Sequence, residues 1–362
     1  MREARVRRSR IQARVLLLGV LLVLTACLSD PGDTPGGETT LDGVPVHTLH
    51  TGAASVVRAT GPVDEIFGSE ASPIQAVRAL AWTQEGEILL ADADRAVLIL
   101  SAEGDSLQRL GGSGEGPGEF RQVLMAGALD AGGVVYFDPV LNRVTEFTPS
   151  HEVHRLWSPE PSVGPGSIFA PLALASDGAV LGVPIPMGPA DTSESLRSSP
   201  HVDESTIWRF APVIRVTESA VDTVTEAAVV RCAEVAPPEC TPDGDMATMA
   251  SGEHGTVVAP RDRAEARVFG PDLEPLHTVR SDDLEAEPFS KLFWDDRGRL
   301  WLGHWRSPEW WVVRDGDATR MGFPEGFEVW DVADDRALGV LRGELGVQRL
   351  AVLALPPTRN AP

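Results

Sequence analysis

A β-propeller of six blades, each a four-stranded antiparallel sheet, is the all-β fold that this sequence predicts. Three observations lead there. A glycine recurs inside one short pattern: Glu85-Gly86-Glu87-Ile88, Ala131-Gly132-Gly133-Val134, Asp177-Gly178-Ala179-Val180, His254-Gly255-Thr256-Val257 and Arg297-Gly298-Arg299-Leu300, with a degenerate copy at Asp335-Arg336-Ala337-Leu338. Successive copies lie about 46, 46, 77, 43 and 38 residues apart, which is one blade per copy with an insertion of about 30 residues in the long gap. Short apolar runs bounded by turn residues fill each period, as strands require.

The elements follow in order. Residues 1–26 read as an export signal: Arg2, Arg5, Arg7, Arg8, Arg10 and Arg14 precede an apolar run, 15–24. That run is too short to span a bilayer, which needs roughly 20 apolar residues. Leu24-Thr25-Ala26-Cys27 resembles the lipobox of bacterial lipoproteins. The resemblance implies lipidation of Cys27 and a membrane held as partner through that lipid. With no aspartate beside Cys27, it also implies the outer membrane of the cell envelope. Residues 27–43, rich in Pro, Gly, Asp and Thr, cannot bury a core and are expected to form a flexible tether.

From residue 44 to 362 a single ring is expected. Blade 1 comprises Val77–Trp82, Ile88–Asp92, Ala96–Leu100 and 107–110, and blade 2 covers 123–157 with the same rhythm. Blade 3 starts at Ile168, carries an insertion at about 185–206, places its last strands at 213–217 and 222–228, and leads into a loop at about 229–245. Blades 4 and 5 start near Met246 and Phe289. Blade 6 starts at Phe327 but shows only three strands, so its fourth is expected from 44–49 or 55–60, closing the ring without a long free edge. A degenerate seventh blade before Pro73 is the competing arithmetic.

Asp92 with Arg95-Ala96-Val97, and Asp138 with Asn142-Arg143-Val144 and Phe147, resemble the Asp…Asn-Arg-Val…Phe segment of NHL repeats. Gly111 to Gly114, then Gly116-Pro117-Gly118-Glu119-Phe120, is similar to the junction between blades in bacterial six-bladed, NHL-like propeller lipoproteins. The resemblance is clear over the first two blades and loose beyond them. It implies Phe120 as the anchor of that junction. A phosphate loop is excluded, because Pro117, Glu119 and a following strand stand where Gly-Lys-Ser/Thr would open a helix.

The formal net charge is −22, and loss of the Arg-rich start would leave the remainder more acidic still. Such acidity excludes a nucleic-acid partner, whose phosphates need Lys and Arg. Cys232 and Cys240 flank Pro237-Pro238 in a chain read as exported, so a disulfide closing a small local loop is expected.

Alignment on the glycine assigns the innermost strands, and two equivalent sets along them are wholly apolar. Charged residues enter only as Arg78, Lys291, Glu328 and Asp331, the candidate ligand-binding groups of the channel; mutual pairing is their alternative role. No catalytic residue, metal or cofactor is assigned, since propeller metals need several His, Asp, Asn or Glu around the axis. His47, His50, His151, His154 and His201 read as structural or solvated. Trp294, Trp301, Trp305, Trp310, Trp311 and Trp330 read chiefly as packing between the last blades. Trp310 and Trp311 must point to opposite faces of a strand, and this pair is the candidate partner surface. Two functions fit: a lipid-anchored scaffold binding an envelope protein, peptide or glycan through rim loops, or a propeller lyase or hydrolase with its site in the channel.

Overall fold

Six separate sheets hold the strands, and each sheet is one blade. The computed structural model describes residues 39–41, 43–51, 56–67, 74, 76–92, 96–159, 167–186, 206–233, 247–283, 286–304, 307–343 and 347–356. Blade 1 is Val77–Trp82, Ile88–Asp92, Ala96–Leu100 and Ser106–Leu110; blade 2 is Met125–Ala128, Val134–Asp138, Arg143–Phe147 and Val153–Trp157. Blade 3 is Ser167–Leu174, Val180–Pro186, Thr206–Val216 and Val221–Ala233, and blade 4 is Thr248–Gly252, Gly255–Ala259, Glu265–Phe269 and Pro275–Ser281. Blade 5 is Lys291–Trp294, Leu300–Gly303, Glu309–Arg314 and Asp317–Gly322; blade 6 begins with Phe327–Ala333, Arg336–Arg342 and Gln348–Ala354. The first strand of each blade touches the first strand of the next, so these strands line the axis.

Six clusters of buried residues make up the core, one for each seam between adjacent blades. Second strands such as Val134–Asp138 and Gly255–Ala259 are buried along their whole length. A strand covered on both faces reads as a continuous apolar run rather than an alternation. Aromatic rings fill the widest seams: Phe120, Tyr136 and Phe147 pack between blades 1 and 2, and Trp301 with Phe293, Phe323 and Phe327 between blades 5 and 6.

The repeated glycine is explained by its backbone. Gly86, Gly132, Gly178 and Gly298 take φ values of 77°, 78°, 85° and 68°, and each amide donates back three residues to close the turn. Glycine enters this left-handed region without the steric cost of a Cβ. In the degenerate copy Asp334 and Asp335 adopt φ 50° and 56°, the conformation that Asp tolerates better than most residues.

The motif that resembles NHL repeats also acquires a cause. Asp138 accepts the amides of Arg121 (2.5 Å), Gln122 (3.2 Å), Val140 (2.8 Å) and Leu141 (3.0 Å). Arg143 donates to the carbonyls of Glu115 (2.9 Å), Gly116 (3.1 Å) and Glu119, and Tyr136 Oη donates to that of Gly118 at 2.8 Å. The Gly-rich junction is therefore clamped by blade 2, with Phe120 fully buried beneath it.

Ring closure differs from expectation. The fourth strand of blade 6 is Val63–Phe67, antiparallel to Gln348–Ala354, and neither 44–49 nor 55–60. Val44–Leu49 instead lies parallel to Pro275–Ser281 as an added strand on blade 4, and Val56–Arg58 lies parallel to Asp317–Gly322 on blade 5. The segment thus girdles three consecutive blades and satisfies two otherwise open edges. Leu49 decides the first placement, since it is fully buried in the seam between blades 4 and 5.

Blade 3 is also larger than expected. Its last two strands run 206–216 and 221–233, so residues 229–233 belong to a strand and not to the loop placed at about 229–245. Residues 187–205 of the insertion and 234–246 lie outside the described residues. The flanking strand ends, Pro186, Thr206 and Ala233, sit at the rim where the inner strand begins at Ser167.

Candidate functional site

At the opposite rim the inner strands end and turn back into the second strands. There the channel opens into a cavity of about 420 Å³, with walls from all six blades. The residue two places before the repeated glycine stands on this mouth in five blades: Gln84, Asp130, Ser176, Glu253 and Asp296. Gln84 Nε2 donates to the Asp130 carbonyl at 2.7 Å, and Ser176 Oγ to Asp130 Oδ2 at 2.7 Å. The Asp334 amide donates to Asp296 Oδ2 at 2.9 Å. These bonds cross blade boundaries and hold the turns in register.

The mouth is acidic and aromatic. Asp295 is committed to structure, accepting Arg299 Nε at 2.5 Å and Trp301 Nε1 at 2.8 Å. Glu253 and Asp296 are exposed, and Asp130 keeps one carboxylate oxygen beyond its bond to Ser176. Asp331 accepts the Trp82 amide at 2.8 Å and the Val332 amide at 2.7 Å, and burial pushes its carboxyl up to about 7 against those bonds. His254 Nε2 lies 3.1 Å from Glu253 Oε1. Phe293, Trp294 and Trp330 complete the wall, with the Trp294 indole donating to the Gly255 carbonyl at 3.1 Å.

The four charged channel residues expected from sequence do not form one site. Arg78 is exposed, near the start of its strand, and does not line the cavity. Lys291 Nζ donates to the Val329 carbonyl at 2.6 Å, stands 3.6 Å from Glu328 and lies 3.7 Å from the centre of the Trp330 ring. Burial lowers Lys291 to about 7, with Glu328 pulling the other way. Glu328 also accepts both prongs of Arg342, at 2.9 and 3.1 Å. Lys291 and Glu328 pair with each other in the channel wall, and Asp331 alone of the four reaches the cavity.

Trp310 corrects another expectation: it is 2% exposed, packed between blades 5 and 6 against Phe293, so it offers no partner surface. Trp311 is half-buried, with the Arg320 guanidinium 5.6 Å from its ring. Trp305, His201, Cys27 and Cys240 lie outside the described residues, and Cys232 falls within Val221–Ala233. His151 ties blade 2 to blade 1, with Nδ1 2.9 Å from Gln108 Oε1 and Nε2 3.2 Å from Glu87. Among the described residues, no three His, Cys, Asp or Glu side chains gather closely enough to hold a metal ion.

Asp130, Glu253, His254 and Asp296 are the mouth residues that strand alignment overlooked. Their signal was the repeat itself: fixed offsets from a recurring turn glycine mark equivalent positions on one rim.

No family model and no curated protein matches the chain. Solved structures similar to it include an exported protein of Bacteroides fragilis (10% identity, TM-score 0.48, covering 86% of this chain and 99% of that one). A gluconolactonase of Xanthomonas campestris aligns at 16% identity and TM-score 0.46, covering 84% and 99%. Regucalcin of Agrobacterium tumefaciens, a calcium-binding protein, aligns at 12% and 0.47, covering 83% and 96%. Identities this low carry no argument about chemistry, and the propeller assignment rests on the chain's own sheet order.

Proposed function

We propose that this chain is a lipid-anchored, extracytoplasmic binding propeller that holds a protein, peptide or glycan ligand at the acidic mouth of its channel. One observation carries the reading: a cavity built by six blades presents exposed carboxylates, Glu253 and Asp296, beside aromatic faces, Trp294 and Trp330. Carboxylates accept hydrogen bonds from ammonium or hydroxyl groups, and aromatic faces attract cations and stack on apolar ligand surfaces. A ligand segment bearing amines or many hydroxyls is the chemistry this wall complements.

Titration followed by tryptophan fluorescence tests it, with lysine-rich peptides, acidic peptides and amino-sugar oligomers as probes. The expected result is binding of a basic or amino-sugar probe that weakens with salt and falls at least about tenfold in Asp130→Asn/Asp296→Asn. Affinity unchanged in that variant would remove the mouth from the proposal. The anchor is tested separately: Cys27→Ala should move the protein from the membrane to the soluble fraction.

A second reading, channel enzyme, is favoured by one specific juxtaposition. Asp331, a carboxyl whose titration burial has moved into the neutral range, lines the same cavity as the Glu253–His254 pair. A carboxyl poised near neutrality beside a second carboxylate and an imidazole suits general acid–base work. Turnover of a bound probe that is lost in Asp331→Asn with binding retained would establish this reading; binding without turnover leaves the scaffold.

A further inference from the structure

We propose that the added strand Val44–Leu49 is a strap that acid releases from blade 4 through the paired imidazoles of His47 and His277. The two rings meet edge to face, with centroids 4.7 Å apart, across the seam between that strand and Pro275–Ser281. The seam is short: its parallel register runs only from Val46 opposite Thr278 to Leu49 opposite Ser281. Among the described residues neither ring has a hydrogen bond or a carboxylate partner.

Among the described residues, no carboxylate pairs with either ring. On blade 4, Glu265 is taken up by Arg267 and Arg280, with nitrogens at 3.1 and 2.6 Å. Beyond the strap, Asp282 accepts the amide and hydroxyl of Thr51 and lies 3.2 Å from His50. From blade 5 the turn at Asp315-Gly316 covers His47 so closely that a Cβ on Gly316 would approach its Cε1 at 2.8 Å; Asp315 there lies 3.5 Å from Arg314, and Asp317 follows. Two imidazolium ions at this distance would repel, and no carboxylate bridges them.

Burial first, and then His47, lower the His277 imidazole from 6.5 to about 4. The sign follows. A histidine depressed in the docked state binds its proton more readily once the strap is free, so docking is fully favoured above pH 6.5. It weakens as pH falls from 6.5 towards 4, by roughly tenfold in the release equilibrium per pH unit. Release would open the edge of Thr278–Ser281 to another extended chain and add residues 44–51 to the segment preceding the ring.

Hydrogen–deuterium exchange on the full chain, read as protection factors at pH 7.0, 5.5 and 4.5, decides the matter. Protection of residues 44–51 should fall between the upper and lower values while that of the closing strand 63–67 persists. His277→Gln and, independently, His47→Gln should flatten the fall. Parallel loss in both segments, or an unchanged profile in both variants, would overturn the strap. Ligand affinity at the mouth is a separate readout and does not enter this test.

Discussion

The carboxylate of Asp331 accepts the backbone amide of Trp82 at 2.8 Å, joining the last blade to the first across 249 residues of sequence. The bond sits on the wall of the cavity and beside the seam where the ring closes. Removing the acceptor leaves an amide unsatisfied, so Asp331→Ala should cost on the order of 1–3 kcal/mol, measured by denaturant unfolding.

The same residue predicts a pH dependence. Its folded carboxyl titrates near 7, above the free value of 3.8, so the folded chain holds that proton more tightly than the unfolded one. Its contribution to stability is largest below pH 3.8 and is lost as pH rises through 7. Asp331→Asn cannot ionise. The stability difference between the variant and the parent should therefore shift in the variant's favour between pH 5 and pH 8, and a constant difference would refute the assignment.

Arg143 should matter more than its partial exposure suggests. Arg143→Ala frees three junction carbonyls, at Glu115, Gly116 and Glu119, and should destabilise by about 1–3 kcal/mol. Arg143→Lys should recover little, because one ammonium cannot reproduce the planar fork. Exchange of amides 111–120 reads the loosening directly.

The pair in the channel wall predicts an asymmetry. Glu328→Ala leaves Lys291 and Arg342 without their shared carboxylate in a buried setting and should cost about 3–5 kcal/mol. Lys291→Met keeps the volume and leaves Glu328 to Arg342, so its stability should stay within about 1.5 kcal/mol of the parent.

Trp310→Ala should behave as a core deletion. A side chain 2% exposed in a packed seam predicts a loss of about 3–5 kcal/mol with mouth affinity unchanged. A stable variant with weakened binding would return Trp310 to the surface role.

Repetition made much of the architecture readable before any coordinates. A turn that needs φ near +80° selects glycine at Gly86, Gly132, Gly178 and Gly298, and short apolar runs between such turns leave few alternatives to a ring of sheets. Asp138 and Arg143 could be singled out because their bonding is local to one blade and its junction. The closing strand could not: Val63-Asp64-Glu65-Ile66-Phe67 has no clean alternation, and its partner lies near the other end of the chain.

The linear chain alone settled the repeat, the places of most of its turns and the strongly acidic character, since each depends on composition and on contacts within about 45 residues, whereas the choice of six blades over seven needed the placement of Val63–Phe67 in blade 6. Only the folded ring decided that Lys291 pairs with Glu328, that Trp310 is covered, and that Asp130, Glu253 and Asp296 share a single rim. Those facts depend on which blades become neighbours and on which side chains lose water, and both are properties of the closed circle rather than of any one repeat.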